Sequence, residues 1–307
     1  MHGFRFSQIR DVVAVARRGS LRAAARDLGI AQPAITRSIR EVERLLGSSL
    51  FERTSKGVSP TPAGEAFVRR AMAIENELLR AREEVAQLAG AETGSVALGM
   101  STVPHLALLP RALPAFRARY PDVQVKLVEG LLARMERQLE DGELDFYVGP
   151  LFEERLSSTL VAELLFTNER YIFARRDHPL GGARSLQDLQ HASWISTSVT
   201  HESGAELRPL FEAHGLPSPH IAMHAQSGLS LVLATAHSDL LTMLPRQWTE
   251  FPGIDQLITR VPIQEVLAAP SIYTVRRRRL SLTPVAQYFL DMLCRAAVGM
   301  REPPLPG

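Results

Sequence analysis

Polar side chains recur on one side of the segment from Gln32 to Arg44, at a spacing that places them on one face of a helix. The apolar residues Ile35, Ile39 and Val42 fall on the opposite face. Amide, hydroxyl and guanidinium groups are the donors and acceptors that read base edges and phosphates in a DNA major groove. The segment is therefore predicted to be a helix that enters such a groove. The residues expected to contact DNA are Gln32, Pro33, Thr36, Arg37 and Arg40, together with Arg53 and Lys56 further along.

A shorter helix is predicted just before this segment. Its apolar positions are Leu21, Ala24, Ala25 and Leu28, at i, i+3, i+4 and i+7. Ser20 suits its N-cap and Gly29 the position just beyond its C-terminus. Pro33 then stands where the first turn of the second helix tolerates it. With a third helix predicted from Phe6 to about Ala16, these segments make a helix-turn-helix with a core of its own.

A basic hairpin is predicted after the second helix, with Arg53, Lys56 and Gly57 on a wing beside the DNA backbone or in the minor groove. Two short amphipathic helices also occur in proteins that do not bind DNA, so the distribution of charge supplies a second argument. Residues 1–60 hold 11 Lys and Arg against 5 Asp and Glu, whereas the whole chain has a net charge of +2. The positive field thus lies where phosphates would require it.

A long helix is predicted from Thr61, a capping residue, and Pro62, a proline at the first helical position, to about Ala89. Apolar residues recur along it at alternating spacings of four and three, which is typical of a coiled-coil seam. The seam comprises Phe67, Ala71, Ile74, Leu78, Ala81, Val85 and Leu88. It could pack on its own domain, but a single narrow seam on a charged helix favours dimerisation. The predicted dimer contacts are Ile74, Leu78, Val85 and Leu88.

Strands and helices alternate after Ser95, which indicates an α/β fold with an open sheet. The expected strands cover residues 95–100, 123–128, 144–148, 164–174, 193–195, 220–224, 240–243 and 271–275. The expected helices cover residues 104–119, 131–140, 203–214, 227–236 and 283–297. Pro110 and Pro114 are expected to shorten or kink the first of these. The Pro-rich tail, residues 301–307, is expected to lie outside the fold.

Composition sets limits on the class of protein. A chain of 307 residues suits two or three domains, and 45% hydrophobic with 22% charged residues is normal for a globular protein. Cys294 is the only cysteine, which excludes an intrachain disulfide and a cysteine-based metal cluster and suggests a reducing compartment. The start of the chain is charged, unlike a secretory signal, and no stretch reads as a membrane span. A cytoplasmic location is expected, with neither a metal nor a prosthetic group.

The N-terminal motifs resemble those of LysR-type transcriptional regulators. The matching residues are Ser20-Leu-Arg-Ala-Ala-Ala25, Gln32-Pro-Ala-Ile-Thr-Arg37, Leu45-Leu-Gly47, Leu50-Phe-Glu-Arg53, Gly57-Val58 and Thr61-Pro-Ala-Gly64. Two positions depart from the family pattern. Ala31 stands where the family usually has a capping Ser or Thr. The absence of this cap lowers the stability of the helix by about 1 kcal/mol. Pro60 stands where the family usually has an apolar residue, which puts the geometry of the wing in question.

The resemblance implies the overall organisation. A winged helix-turn-helix (residues 1–60) and a linker helix (61–90) would precede an effector-binding domain (91–300) that resembles periplasmic solute-binding proteins. Its subdomains would comprise residues 91–161 with 268–300, and residues 162–267, with crossings near Ala162 and Leu267. The implied partners are double-stranded operator DNA, further copies of the chain as a dimer or a dimer of dimers, RNA polymerase, and a small effector. Residues 236–246 resemble regulators of aromatic-sulfonate and aromatic-acid degradation.

Residues that could bind the effector follow from the expected strand ends, because ligands of open α/β folds bind beyond the carboxyl ends of strands. Hydroxyl groups and free N–H groups at a helix start suit a carboxylate or sulfonate. The candidates are Ser101, Thr102, Gly149, Ser196, Thr197, Thr200 and Gln226. Ser101 could equally be a plain N-cap. A small, negatively charged and aromatic effector in a cleft between the subdomains is therefore expected.

Two other functions fit the sequence less well. A nucleoid-type DNA-binding protein would not need the α/β module of about 200 residues. An enzyme built on that module is disfavoured, because the sequence contains no G-x-S-x-G, CxxC, HExxH or P-loop motif. His220 and His224 fall in an expected strand, roughly 13 Å apart at about 3.3 Å per residue, too far to share a metal. The four arginines from Arg276 to Arg279 could contact nucleic acid, but a solvated strand end explains them more simply.

Overall fold

The computed structural model describes residues 3–55, 57–152, 156–197 and 206–300. Its N-terminal part consists of helices α1 (Phe6–Arg18), α2 (Leu21–Asp27) and α3 (Gln32–Leu46), followed by a hairpin of strands β1 (Phe51–Thr54) and β2 (Gly57–Pro60). Helix α4 (Pro62–Leu88) follows the hairpin. The predicted winged helix-turn-helix and long helix are both present.

The helix ends follow the local sequence. The Ser20 hydroxyl accepts a hydrogen bond from the backbone N–H of Ala23 at 3.4 Å, and the Thr61 hydroxyl accepts one from Gly64 at 3.0 Å. Gly29 has a φ of +64°, a conformation that glycine adopts at little cost. Ala31 provides no side-chain cap, because its methyl group cannot accept a hydrogen bond. Helix α3 therefore begins without the capping bond that the family pattern would supply.

The core of the N-terminal domain explains a glycine in the Thr61-Pro-Ala-Gly64 motif. Val12, Ile35 and Val42 are fully buried where the three helices meet. The start of α4 lies so close to the chain at Leu50 that a Cβ atom on Gly64 would stand 1.8 Å from the Leu50 carbonyl oxygen. Glycine at position 64 thus allows the long helix to pack directly against the winged domain.

The C-terminal part is a mixed α/β domain, as predicted. Its helices are α5 (Thr102–Ala107), α6 (Leu109–Arg119), α7 (Leu132–Glu140), α8 (Leu207–Ala213), α9 (Gly228–Ala236) and α10 (Pro284–Ala296). Its strands are β3 (Ser95–Met100), β4 (Gln124–Glu129), β5 (Phe146–Pro150), β6 (Leu160–Arg175), β7 (Ser193–Thr197), β8 (His220–Ala225), β9 (Leu240–Pro245), β10 (Ile258–Val261) and β11 (Leu267–Arg277).

The nine strands form one sheet in the order β4-β3-β5-β11-β6-β9-β7-β8, with β10 paired to β6. The long antiparallel strands β6 and β11 run through its middle and join two halves. We refer to the half built from β3, β4, β5 and helices α5, α6, α7 and α10 as the β3–β5 subdomain. Its core includes Phe116, Phe146 and Phe289, whereas Ile172, Trp194 and Phe211 belong to a separate core in the other half.

Several element boundaries differ from the sequence-based expectations. The helix expected from Pro104 begins two residues earlier, at Thr102. It breaks at Leu108, as Pro110 predicts, because proline lacks the N–H that a continuous helix would require. The strand expected from residue 164 begins at Leu160 and is 16 residues long. Strand β10 was not expected, because four residues with two exposed positions carry little periodicity. Within the described part of the chain, no helix is long and apolar enough to cross a membrane.

Candidate nucleic-acid interface and ligand cleft

The N-terminal half of α3 presents a continuous polar surface. Gln32, Pro33, Thr36, Arg37 and Arg40 line one shallow concave surface, and all but the half-buried Thr36 are exposed. The hydroxyl of Thr36 donates a hydrogen bond to the backbone carbonyl of Gln32 at 2.9 Å. Among the described residues, no hydrogen bond occupies the Gln32 amide or the guanidinium groups of Arg37 and Arg40, so all three are available as donors.

Arginines in the first 60 residues fall into two sets. Four of them form ion pairs: Arg5 with Glu41, Arg10 with Asp11, Arg17 with Glu75 and Arg18 with Asp27. The arginines without a carboxylate partner among the described residues are Arg22, Arg26, Arg37, Arg40, Arg44 and Arg53. An exposed cation without an internal partner can neutralise a phosphate without first breaking an ion pair. The second set therefore contains the arginines that suit contact with a polyanion, and Arg37 and Arg40 share one surface of α3.

The wing is a regular antiparallel hairpin in which Arg53 lies opposite Val58 and Phe51 opposite Pro60. Pro60 does not disturb it, because a proline is tolerated in an edge strand. The hairpin is attached to the first helix, since the Val58 N–H donates to the Gly19 carbonyl at 2.8 Å. Arg53 is exposed on the wing, whereas Lys56 lies outside the described residues.

Gly57 shows why the family motif has a glycine at this position. Its φ is +131°, and a Cβ atom there would stand 2.4 Å from the Gly19 carbonyl oxygen. A residue that the sequence did not indicate also positions the wing. Glu43 lies on α3, and its carboxylate accepts hydrogen bonds from the backbone N–H groups of Leu50 and Phe51, at 2.8 and 3.3 Å.

A cleft of about 350 Å³ lies between the two halves of the α/β domain, at the ends of several strands. Three predicted effector residues line it: Ser101 and Thr102, which follow β3, and Gln226, which precedes α9. Ser101 occupies the N-cap position of α5 but makes no capping hydrogen bond. Its side chain is buried beside the phenol of Tyr147, whose pKa is raised by burial, so that this phenol keeps its proton.

The remaining predicted effector residues stand apart from these. Gly149 lies in β5 and is not among the cleft-lining residues. A Cβ atom there would approach Tyr147 Oη to 2.1 Å and Ser101 Oγ to 2.9 Å, so Gly149 makes room behind the cleft wall. Ser196 is buried within β7, because that strand extends two residues further than expected. Thr197 ends the same strand, although its side chain is outside the described part, as is the whole of Thr200.

The cleft also contains residues that the sequence does not indicate. Arg134 projects from α7 at the rim, and the Arg170 guanidinium on β6 pairs with Glu206 at 3.1 Å. The buried Asn168, also on β6, accepts a hydrogen bond from the Gln247 amide at 2.8 Å. This bond uses the Asn168 side-chain oxygen and leaves its NH₂ group as the donor on the cleft side. Strand β6 is expected from the sequence to lie wholly inside one subdomain. The sequence therefore does not indicate that residues in the middle of this strand line the cleft.

The arginine run from Arg276 to Arg279 is largely occupied by contacts within the chain. Arg276 pairs with Glu163 at 3.0 Å, Arg277 pairs with Glu77, and Arg278 donates to the Leu160 carbonyl at 2.9 Å. These bonds hold the end of β11 against neighbouring elements. The geometry favours the structural explanation of the run over a second nucleic-acid site. Among the described residues, no group of three or more His, Cys, Asp or Glu could hold a metal ion.

A winged helix-turn-helix joined to a cleft-bearing α/β domain defines a class: DNA-binding regulators with an effector-binding domain. Residues 6–65 match the family described as "Bacterial regulatory helix-turn-helix protein, lysR family", and residues 89–297 match the "LysR substrate binding domain". The chain belongs to the LysR family of transcriptional regulators. Members of this family are regulators that bind DNA and small-molecule effectors; they are not enzymes.

Individual relatives span most of the chain. "HTH-type transcriptional regulator TdcA" of Escherichia coli (strain K12) is 26% identical over 278 residues, which cover 91% of this chain and 88% of that protein. The "SDS degradation transcriptional activation protein" of Pseudomonas sp. (strain ATCC 19151) is 31% identical over 242 residues, which cover 78% of each.

Solved structures show the same fold over nearly the whole length. Full-length CbnR in complex with its target DNA has a TM-score of 0.69 at 23% identity, covering 95% of this chain and 99% of that one. A full-length OxyR variant from Pseudomonas aeruginosa also has a TM-score of 0.69, at 20% identity, covering 97% and 95%.

Proposed function

We propose that this LysR-family regulator binds operator DNA as a homo-oligomer through α3 and the wing, and that a small organic anion in the cleft controls that binding. The observation that carries the proposal is the pairing of two surfaces in one chain. One is the α3 face, where Arg37 and Arg40 have no carboxylate partner among the described residues. The other is the cleft lined by Ser101, Arg134 and Gln226.

Two groups of residues would contact DNA: one group would read the bases, and the other would position the protein on the duplex. Gln32, Thr36 and Arg37 lie near the start of α3, where a recognition helix meets base edges. Arg40 lies one turn further along, and Arg53 stands on the wing, so both are suited to phosphates or the minor groove. We assign sequence discrimination chiefly to Arg37, because a bidentate contact with guanine is the commonest specific arginine contact.

Oligomerisation is supported by the predicted seam of α4. Ile74, Leu78, Val85 and Leu88 are all exposed, and Leu88 retains 73% of its accessible surface. Apolar residues that a helix leaves uncovered by its own subunit are expected to pack against another copy. A two-fold dimer would also present two α3 helices to two half-sites. Assembly as a dimer of dimers, contact with RNA polymerase and a cytoplasmic location stay predictions.

The lining of the cleft fits an anion with an apolar body. Arg134 has no carboxylate within ion-pair distance among the described residues, and the N-terminus of α9 opens into the cleft beside Gln226. Trp248 and Leu231 supply an apolar wall. The Thr102 hydroxyl is 3.4 Å from the Glu129 carboxylate, so an incoming anion would compete with Glu129 for it. Ser101 is therefore the stronger candidate of the two hydroxyl groups.

A thermal-shift screen of small aromatic carboxylates and sulfonates on the full chain tests this proposal. A compound that binds the folded protein raises its melting temperature in proportion to RT ln(1 + [L]/Kd). We expect at least one such anion to stabilise the wild type and to stabilise Arg134→Gln less. Arg137→Gln is the matched control, because Arg137 is exposed on the same helix but does not line the cleft. Equal stabilisation of all three proteins would place the anion elsewhere.

A further inference from the structure

A cluster of charged side chains joins the linker helix α4 to the β3–β5 subdomain. Arg80 on α4 forms an ion pair with Asp145, which retains only 2% of its accessible surface. The same guanidinium donates to the Gly142 carbonyl, at 3.2 Å from Nε and 2.5 Å from Nη2. One turn earlier on the helix, Glu77 pairs with Arg277. Two cations thus face two carboxylates at the junction.

Because these groups are largely buried, each charge requires a partner of opposite charge. Desolvation, together with the neighbouring cation Arg277, lowers the pKa of Arg80 to about 10, and at neutral pH the guanidinium still carries its charge. A buried charge is tolerated only where opposite charges and hydrogen bonds replace the lost water. The Asn76 amide adds a bond to the Asp141 carbonyl at 3.1 Å. The helix is therefore held in one orientation by directional polar contacts.

The cluster bonds to one end of strands β3, β5 and β11, and residues at or just beyond their opposite ends line the cleft. Asp145 immediately precedes β5, which ends at the cleft-lining Pro150. Its carboxylate also accepts a hydrogen bond at 2.8 Å from the backbone N–H of Ala97 on β3, and β3 leads to Ser101. Arg277 ends β11, which runs antiparallel to β5 and carries Ile272 at the cleft. Five strand residues, roughly 17 Å, separate the two ends.

We infer that Arg80 and Glu77 are positioning residues that make α4 and the β3–β5 subdomain move as one body, so that the state of the cleft is transmitted to the DNA-binding domains through strands β3, β5 and β11. The inference rests on the proposed function in one respect, since it takes the cleft as the regulatory site. It adds the physical connection. Without these ion pairs, α4 would keep the apolar dimer seam and the bond near its end, where Gln87 accepts from the Val285 N–H at 3.1 Å, but the middle of the helix would no longer be fixed on the strands.

Coupling between two sites is reciprocal, so it can be measured without an effector. The probe is a DNA duplex that the wild-type protein selects from a random-sequence pool. Hydrogen exchange is measured on full-length protein, with and without saturating duplex, at the cleft ends of β3, β5 and β11. For the wild type, we expect the duplex to change exchange rates there by about fivefold or more, the lower end of typical couplings.

Two variants remove the connection in different ways. Arg80→Gln combined with Asp145→Asn neutralises both partners and leaves no unpaired buried charge, while Glu77→Gln removes a charge from the more exposed end of the cluster. In both, the change caused by DNA at the cleft should fall below about twofold although the duplex remains bound. Arg82→Gln is the matched control on the same helix, since Arg82 is exposed, and it should respond like the wild type.

A wild-type response in the double variant and in Glu77→Gln would overturn the inference, as would a wild type in which DNA leaves the cleft unchanged. Should the double variant fail to fold, Glu77→Gln alone decides the outcome. A failure of the proposed effector site would look different: the thermal-shift screen would yield no stabilising anion while DNA still altered exchange at the cleft.

Discussion

The Glu43 carboxylate on α3 accepts a hydrogen bond from the backbone N–H of Leu50 at 2.8 Å. A second bond, from Phe51 at 3.3 Å, makes this side chain the link between the recognition helix and the first strand of the wing. This carboxylate therefore joins the two elements that are proposed to contact DNA, while the Val58 N–H attaches the wing to the first helix.

Replacing Glu43 by alanine should loosen the wing and weaken binding to every DNA sequence. Hydrogen bonds to a charged group contribute about 1.5–3 kcal/mol each, and the two N–H groups would be left to water. Fluorescence anisotropy with labelled duplexes measures the effect. Glu52→Ala is the control, because it also removes one negative charge near DNA but from an exposed side chain. Equal affinities for the two variants would refute a positioning role for Glu43.

Leu78→Glu should disrupt the dimer. The substitution introduces a charge in the middle of the α4 seam twice per dimer, and burial of an unpaired charge is strongly unfavourable. Sedimentation velocity should show a smaller species at micromolar concentration. Val266→Glu introduces the same charge at an exposed apolar residue in the turn before β11 and should sediment like the wild type. A Leu78→Glu protein that does the same would mean that the seam is not a dimer contact.

Ser101→Ala should weaken binding of the effector more than Thr102→Val. Ser101 Oγ is not used as a helix cap, whereas the Thr102 hydroxyl already faces Glu129 at 3.4 Å. Loss of one hydrogen bond to a charged ligand costs about 1.5–3 kcal/mol. Isothermal titration with an anion found in the screen measures both variants, and operator affinity without the anion should remain unchanged. The reverse order of affinities would contradict this account of the cleft wall.

The N-terminal domain was predictable because its rules are local. Caps such as Ser20, the apolar spacing of Ile35, Ile39 and Val42, and the glycines at turns each act within a few residues. The structure adds the reasons behind two motif glycines, Gly57 and Gly64, which lie against the backbone of distant residues. The contact of Glu43 with the wing could not be read from the sequence, since a carboxylate on a helix usually faces solvent.

The effector cleft was less predictable because its residues come from elements that meet only in the tertiary structure. Ser101 and Gln226 could be found from expected strand and helix ends. Ser196 does not line this cleft, because β7 continues beyond the expected end and buries it. Arg134 and Asn168 lie on a helix face and in the middle of a 16-residue strand, and neither position has a local signature.

The exposed face of α3 is proposed to read operator DNA, while the wing supplies attraction that is independent of the DNA sequence. Arg37→Ala and Arg53→Ala separate these roles when anisotropy is measured on the selected duplex and on a scrambled one over a salt series. Arg37→Ala should cost about 1–3 kcal/mol on the selected duplex and much less on the scrambled one. Arg53→Ala should weaken both duplexes evenly and lower the salt dependence. Wild-type affinity of both variants for the selected duplex would contradict the account.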